Sequence, residues 1–269
     1  MKNFLKKIKF LMPFIAIYSK TKILFFSFLN LPPKVKFSLY NGEEVFFNTR
    51  DWATANFCKN NIKGDILNYE PEQTKIFQDI IREKKIKTFF DAGSQIGYYS
   101  IIAAKLGVVE VYAFDIDANF SRIFKKQALL NNVLDKISFI ETPIGEDDKT
   151  ITIESFNKII IKIAQSLDSF CEKINKWPDF IKMDIEGGEL DALKNAQKIL
   201  LKKPIILLAL HPPFMPEKDK DVLRIFEIFS QNNYKIVSIG PLHKGELIDY
   251  RKYPPALFKE INDFICLPK

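Results

Sequence analysis

Three carboxylates, Asp184, Glu186 and Glu189, surround the Gly187-Gly188 pair in the stretch IKMDIEGGEL, directly after an apolar run. A charge at the end of a buried strand carries a desolvation cost, so it must either start a helix or face a ligand. Glu189 suits the first role, because it opens a helical pattern and an acid complements the positive end of the helix dipole. Asp184 and Glu186 suit the second. His211, one of two histidines, ends another apolar run in LALHPP and can reach the same edge as a general base. Asp184, Glu186 and His211 are therefore the candidate catalytic set. The same three could hold a divalent cation, but with neither HExxH nor paired-cysteine spacing, no metal is assigned.

A second constellation lies upstream. The run FFDAGSQIG carries Asp91, Gly93, Gln95 and Gly97 in a turn following a short apolar strand, and Asp115 ends VYAFD, 22 residues after Gly93. Gly93 allows a sharp turn and close approach of a ligand, and Gly97 allows the next helix to pack tightly. A carboxylate at Asp115 can accept both hydroxyls of an adenosine ribose. A dinucleotide pyrophosphate is served by G-x-G-x-x-G, whose bare amides meet negative charge. Here Gln95 replaces the middle glycine and Asp91 stands just before the turn. An acid there favours a ligand bearing an ammonium and a sulfonium, and S-adenosyl-L-methionine is such a ligand. In the plainer alternative, Asp91 caps the turn and Asp115 the next helix, with no ligand involved.

These residues need a frame. The chain of 269 residues is 47% hydrophobic, enough to bury a sizeable core. Strand and helix patterns alternate: strand 86–90, helix 96–106, strand 109–114, helix 119–131, strand 137–141, strand 180–183, helix 188–201, strand 205–210, helix 218–231, strand 234–239 and a last apolar run 264–267. That order predicts an α/β fold with a mostly parallel, doubly wound sheet. The expected organisation is a basic, apolar N-terminal helical segment over 1–33, a β-hairpin and lead-in over 34–71 turning at Asn41-Gly42, and the main domain over 72–269.

The net charge of +7 is local: residues 1–36 carry eight lysines and no acid, leaving 32 basic against 33 acidic residues beyond. That balance argues against a nucleic-acid face on the main domain. Lysines beside two short apolar blocks fit a helix lying in a membrane interface, or one packed on a partner, and neither block is long enough to span a bilayer. Single cysteines at 58, 171 and 266 suggest neither a disulfide framework nor a zinc site. The expected location is cytoplasmic, peripheral at the inner membrane face if the segment docks there. The oligomeric state is not encoded in any pattern.

The chain resembles the FkbM-type methyltransferases over roughly residues 69–211, in the stretches YEPEQTKIF, FDAGSQIGYYS, VYAFDIDANFSRIFKKQALLNN and DFIKMDIEGGELDALKNAQKIL. The resemblance implies a class I, Rossmann-like fold using S-adenosyl-L-methionine. It further implies that Asp91, Gly93 and Gly97 hold the methionine moiety, Asp115 the ribose, and Ile116 with the loop Thr142 to Ile144 the adenine. Glu70 or Glu72 would help at the amino-acid end. Two positions depart from the family: Gln95 replaces an asparagine, and Ala209 stands where a glutamate often precedes the histidine by two residues, leaving no evident acid partner for His211. The loop after the fourth strand is Asp-Ile-Glu-Gly, without the Pro-Pro-aromatic element that pins planar nitrogens in amine and base methyltransferases. The implied reaction is thus O-methylation of a sugar, polysaccharide precursor or secondary metabolite. A nicotinamide-dependent oxidoreductase and a non-catalytic cofactor-binding module are the alternatives.

Overall fold

The computed structural model describes residues 31–155, 158–239, 247 and 261–269. Of the segment 1–33 expected to meet a membrane or partner, residues 1–30 lie outside them, and among the described residues no helix is long and apolar enough to cross a membrane.

The central sheet has seven strands. In chain order these are β5 (Thr88–Ala92), β6 (Glu110–Phe114), β7 (Ile137–Ile140), β10 (Phe180–Met183), β11 (Ile205–Leu210), β12 (Tyr234–Ser238) and β13 (Asn262–Pro268). In space they run β7-β6-β5-β10-β11-β13-β12. All neighbours are parallel except β13, which inserts antiparallel between β11 and β12. The middle strands are buried on both faces, so their sequences TFFDA, FIKM and IILLAL are apolar runs without alternation. Alternation survives in where each side chain goes. Phe89, Phe180 and Leu207 enter one core, while their neighbours Phe90, Ile181 and Leu208 enter the other.

The helices close both faces. They are α1 (Trp52–Cys58), α2 (Pro71–Lys84), α3 (Tyr98–Lys105), α4 (Ala118–Leu130), α5 (Leu167–Ile174), α6 (Glu189–Lys194), α7 (Gln197–Lys202) and α8 (Asp219–Gln231). On α8, Val222, Ile225, Phe226 and Phe229 make one buried stripe at helical spacing. The start of α4 is fixed by Asp117, whose side chain accepts from Asn119 N.

Three differences from the sequence expectation have physical causes. The single helix expected over 188–201 is two, α6 and α7, because Asp168 on α5 accepts from the backbone N–H groups of Lys198 and Ile199 and so caps a fresh helix start. The hairpin β1 (Lys34–Ser38) and β2 (Glu44–Asn48) forms, but around a three-residue loop closed by Leu39 N to Glu43 O at 2.8 Å. It joins the short strands β3 (Ile62–Lys63) and β4 (Ile66–Leu67) in a four-stranded sheet whose Val35, Val45 and Phe47 share the core of Phe77 and Phe124. Finally, residues 145–179, without an assigned element in the sequence reading, contain α5 and a two-stranded hairpin, β8 (Thr150–Ser155) with β9 (Lys158–Ile163).

Candidate active site

The first loop follows β5. Gly93 has φ +86°, and a Cβ there would lie 1.8 Å from the carbonyl oxygen of Asp184. The close approach demanding this glycine is therefore the end of β10, which pins the two strand ends together. Gly97 has φ +87°, and a Cβ would lie 2.0 Å from the Phe124 ring on α4, so its role is tight helix packing. Between them Gln95 takes φ +44°, and its N–H donates to Asp115 at 2.9 Å. The other Asp115 oxygen accepts from Asp117 N at 2.9 Å. Burial pushes the Asp115 carboxyl up to about 6, against these two donors which pull it down.

A cavity of about 420 Å³ opens beside Asp115. Of the residues expected to bind cofactor, Gly93, Gln95, Asp115, Ile116, Thr142 and Ile144 line it, with Phe114, Phe120, Pro143 and Ile151 adding apolar wall. Ile151 comes from β8, a contribution no sequence motif announced. Asp184 and Glu186 line the opposite end. Three expected residues, Gly97, Asp91 and Glu70, do not line it. Asp91 is 2% exposed beneath the loop, accepting from Ser100 N and from Ser100 Oγ at 2.6 Å. It braces the start of α3. Glu70 accepts from Tyr99 Oη at 2.6 Å and reaches the cleft through its charge.

The chemistry-bearing end is an ion network. Lys182, 5% exposed in the middle of β10, donates to Asp184 at 2.8 Å and lies over the Tyr99 ring. Burial disfavours its ammonium, but Asp184, Asp91 and Glu70 outweigh that and raise its pKa. Asp184 is the converse: burial favours the neutral acid, and Lys182 with His211 outweighs it, so the carboxyl sits below its ordinary range. A carboxylate held this firmly ionised is an electrostatic partner and a weak proton acceptor. At Asp91, by contrast, burial outweighs Lys182 and the pKa is raised.

His211, buried at the end of β11, has Nδ1 2.8 Å from Glu189 Oε1 and Nε2 3.5 Å from Asp184 Oδ1. Burial lowers its pKa, but Glu189, Asp184 and Glu186 together raise it above 6.5. The acid partner absent at Ala209 is thus supplied by Glu189 at the start of α6, upstream of β11. Glu189 does begin α6, but it is 0% exposed and also accepts from Gly187 N at 3.0 Å, so a helix-start role alone is corrected. Glu186, at φ +50°, is exposed at the cavity rim. Gly187 completes the loop: a Cβ there would lie 2.8 Å from the Phe214 carbonyl, and the Phe214 ring stacks beside His211.

Sequence reasoning missed Lys182, Glu189 as a histidine partner, and Asp263 of β13, which accepts from Gln73 Nε2 at 2.6 Å near the same cluster. Lys182 had a visible signal, a lysine inside an apolar strand, since a buried ammonium requires carboxylates around it. The other two had none. Among the described residues no group of three or more His, Cys, Asp or Glu is arranged to hold a metal ion.

A parallel sheet with one antiparallel insertion, a glycine turn after its first strand and an acid ending the second define a class I methyltransferase domain, whose cofactor is S-adenosyl-L-methionine. The residues present fit that molecule: an apolar pocket beside Asp115 for the adenosine, and anions at the far end to face a cation. The Methyltransferase FkbM domain matches residues 44–236, and the chain belongs to that family. The fold is similar to an O-methyltransferase from Bacillus cereus in complex with SAH, at TM-score 0.50 and 14% identity over 80% of this chain and 88% of that one. A ribosomal protein L11 methyltransferase of Trichlorobacter lovleyi is 29% identical over 126 residues, which are 46% of this chain and 38% of that relative's length.

Proposed function

We propose that this chain methylates a hydroxyl of a sugar, polysaccharide precursor or secondary metabolite, with His211 as general base. The observation that carries the reading is that His211 Nε2 lies 3.5 Å from Oδ1 of Asp184, a residue that lines the cavity. When bound, S-adenosyl-L-methionine supplies a methyl group on a sulfonium, an electrophile that a hydroxyl oxygen attacks in line. The protein's part is to align the acceptor and take its proton. In this reading Asp115 accepts from the ribose hydroxyls, and Ile116, Thr142 and Ile144 flank the base. The acceptor's proton passes to Nε2 of neutral His211, and the imidazolium so formed lies between Asp184 and Glu189. Lys182 keeps Asp184 anionic throughout, which stabilises that cation. Glu186, at the rim, is placed to contact the acceptor. The Asp-Ile-Glu-Gly loop supports a hydroxyl over a planar nitrogen, since nothing in it clamps an amine between prolines and an aromatic ring.

The test has two stages. Calorimetry with S-adenosyl-L-methionine and with NAD separates the methyl-transfer reading from a nucleotide oxidoreductase. Transfer of labelled methyl to sugar nucleotides, cell glycans and purified ribosomal protein L11 then identifies the acceptor class. Label in the protein and none in any glycan would sink the hydroxyl assignment.

A further inference from the structure

We infer that Glu189 is a positioning residue that holds the proton of His211 on Nδ1, so that proton exchange occurs at Nε2, the nitrogen beside the cavity-lining Asp184. The inference rests on the methyl-transfer reading only for what Nε2 serves. The geometry stands by itself.

A neutral imidazole carries one proton, and its two nitrogens compete for it. The carboxylate hydrogen-bonded to one nitrogen decides the outcome. Glu189 Oε1 lies 2.8 Å from Nδ1, within hydrogen-bond range, whereas Asp184 Oδ1 lies 3.5 Å from Nε2, beyond it. The two acids also differ in their other commitments. Asp184 is already held by Lys182 at 2.8 Å. Glu189 receives only the Gly187 N–H among the described contacts besides His211, and it is wholly shielded from water. Its carboxylate is therefore directed at Nδ1, and the competing position lies beside Asp184, which lines the cavity. The charges facing His211 are Glu189 from α6, Asp184 from the end of β10 and Glu186 from the intervening loop, while Phe214 covers the ring without charge. In the full relay Glu189 orients, His211 exchanges the proton and Asp184 balances it.

The test reads the ring nitrogens of the full-length chain by long-range proton–nitrogen NMR. The protein has two histidines, His211 and His243, so His211→Gln assigns the spectrum. In the wild type above its titration point, His211 is expected as the Nδ1–H tautomer with Nε2 unprotonated. In Glu189→Gln the titration point is expected to fall by about one unit or more and the tautomer to become mixed or inverted. Glu189→Asp, which keeps the charge, is expected to restore the higher titration point. A purely structural role for Glu189 would alter melting temperature and leave the tautomer and titration unchanged, and that outcome overturns the proposal. If Glu189→Gln does not fold, the wild-type tautomer decides, since an Nε2–H imidazole is itself incompatible with the inference. Calorimetry with S-adenosyl-L-methionine on the same samples separates the two claims. No binding with an Nδ1–H tautomer sinks the methyl-transfer reading and leaves the relay standing. Binding with an Nε2–H tautomer does the reverse.

Discussion

The two ends of the cleft are built differently. At the β5, β6 and β7 end, half-buried Asp115 and its neighbour Asp117 stand among mostly apolar walls, and Asp115 accepts from the backbone N–H groups of Gln95 and Asp117. At the β10 and β11 end, four charged or titratable side chains, Lys182, Asp184, Glu189 and His211, are packed within hydrogen-bond or ion-pair distance. The first arrangement suits recognition, where shape and one well-placed acceptor suffice. The second suits proton movement, which needs groups whose affinities depend on one another. It follows that removing the Asp115 side chain should change binding with little cost to the fold, whereas perturbing the second end, or the Gly93 turn that packs on it, should change the fold as well.

The largest effect is expected from Lys182→Met. Removing the ammonium leaves buried Asp91 and half-buried Asp184 without their shared counter-charge, a loss of about 3–5 kcal/mol in urea unfolding. A variant as stable as the wild type would mean the network is hydrated. Next comes Gly93→Ala, where the added methyl meets the Asp184 carbonyl and the backbone has positive φ. A destabilisation of roughly 3 kcal/mol is expected, together with loss of cofactor binding, because the strand ends must separate. Asp115→Ala, by contrast, should weaken S-adenosyl-L-methionine binding about a hundredfold, the effect of two charge-assisted hydrogen bonds, while the melting temperature stays nearly constant. If both changed equally, the recognition end would not be separable from the fold.

Two smaller effects concern pH. Asp115 is acidic up to about 6, so it becomes an anionic acceptor only above that value. Affinity should therefore tighten as pH rises, by about tenfold between pH 5 and 7.5. For His211 the sign is opposite. Its folded pKa is raised, so the stability it contributes is complete below the unfolded value of 6.5 and is lost as pH rises through the folded value. His211→Gln should accordingly cost more stability at pH 6 than at pH 9, measured by thermal unfolding. Smallest of all is Ile161→Thr on the solvent face of β9, where the side chain is 65% exposed. A change within about 0.5 kcal/mol is expected.

Much of the recognition end could be read from the chain because its parts are local. Asp91 to Gly97 form one turn, Asp115 and Ile116 one strand end, and Thr142 to Ile144 one loop, each marked by an apolar run and a glycine or acid at its close. Asp91 belongs to the same turn, and its carboxylate accepts from Ser100 at the start of the following helix, a partner nine residues on that the motif does not mark. The helix break before α7 was invisible for a related reason: its cap, Asp168, lies about thirty residues upstream on another element.

The order of strands, the glycine turns and the acids at strand ends were determined by the sequence itself, since periodicity, chain sterics and desolvation act within a few residues of one another. Only the tertiary structure decided which acid serves His211, which cation holds Asp184 ionised and which strand makes Gly93 obligatory. Those are contacts between elements distant in the chain. Their energies depend on distances and burial that exist only once the sheet has assembled.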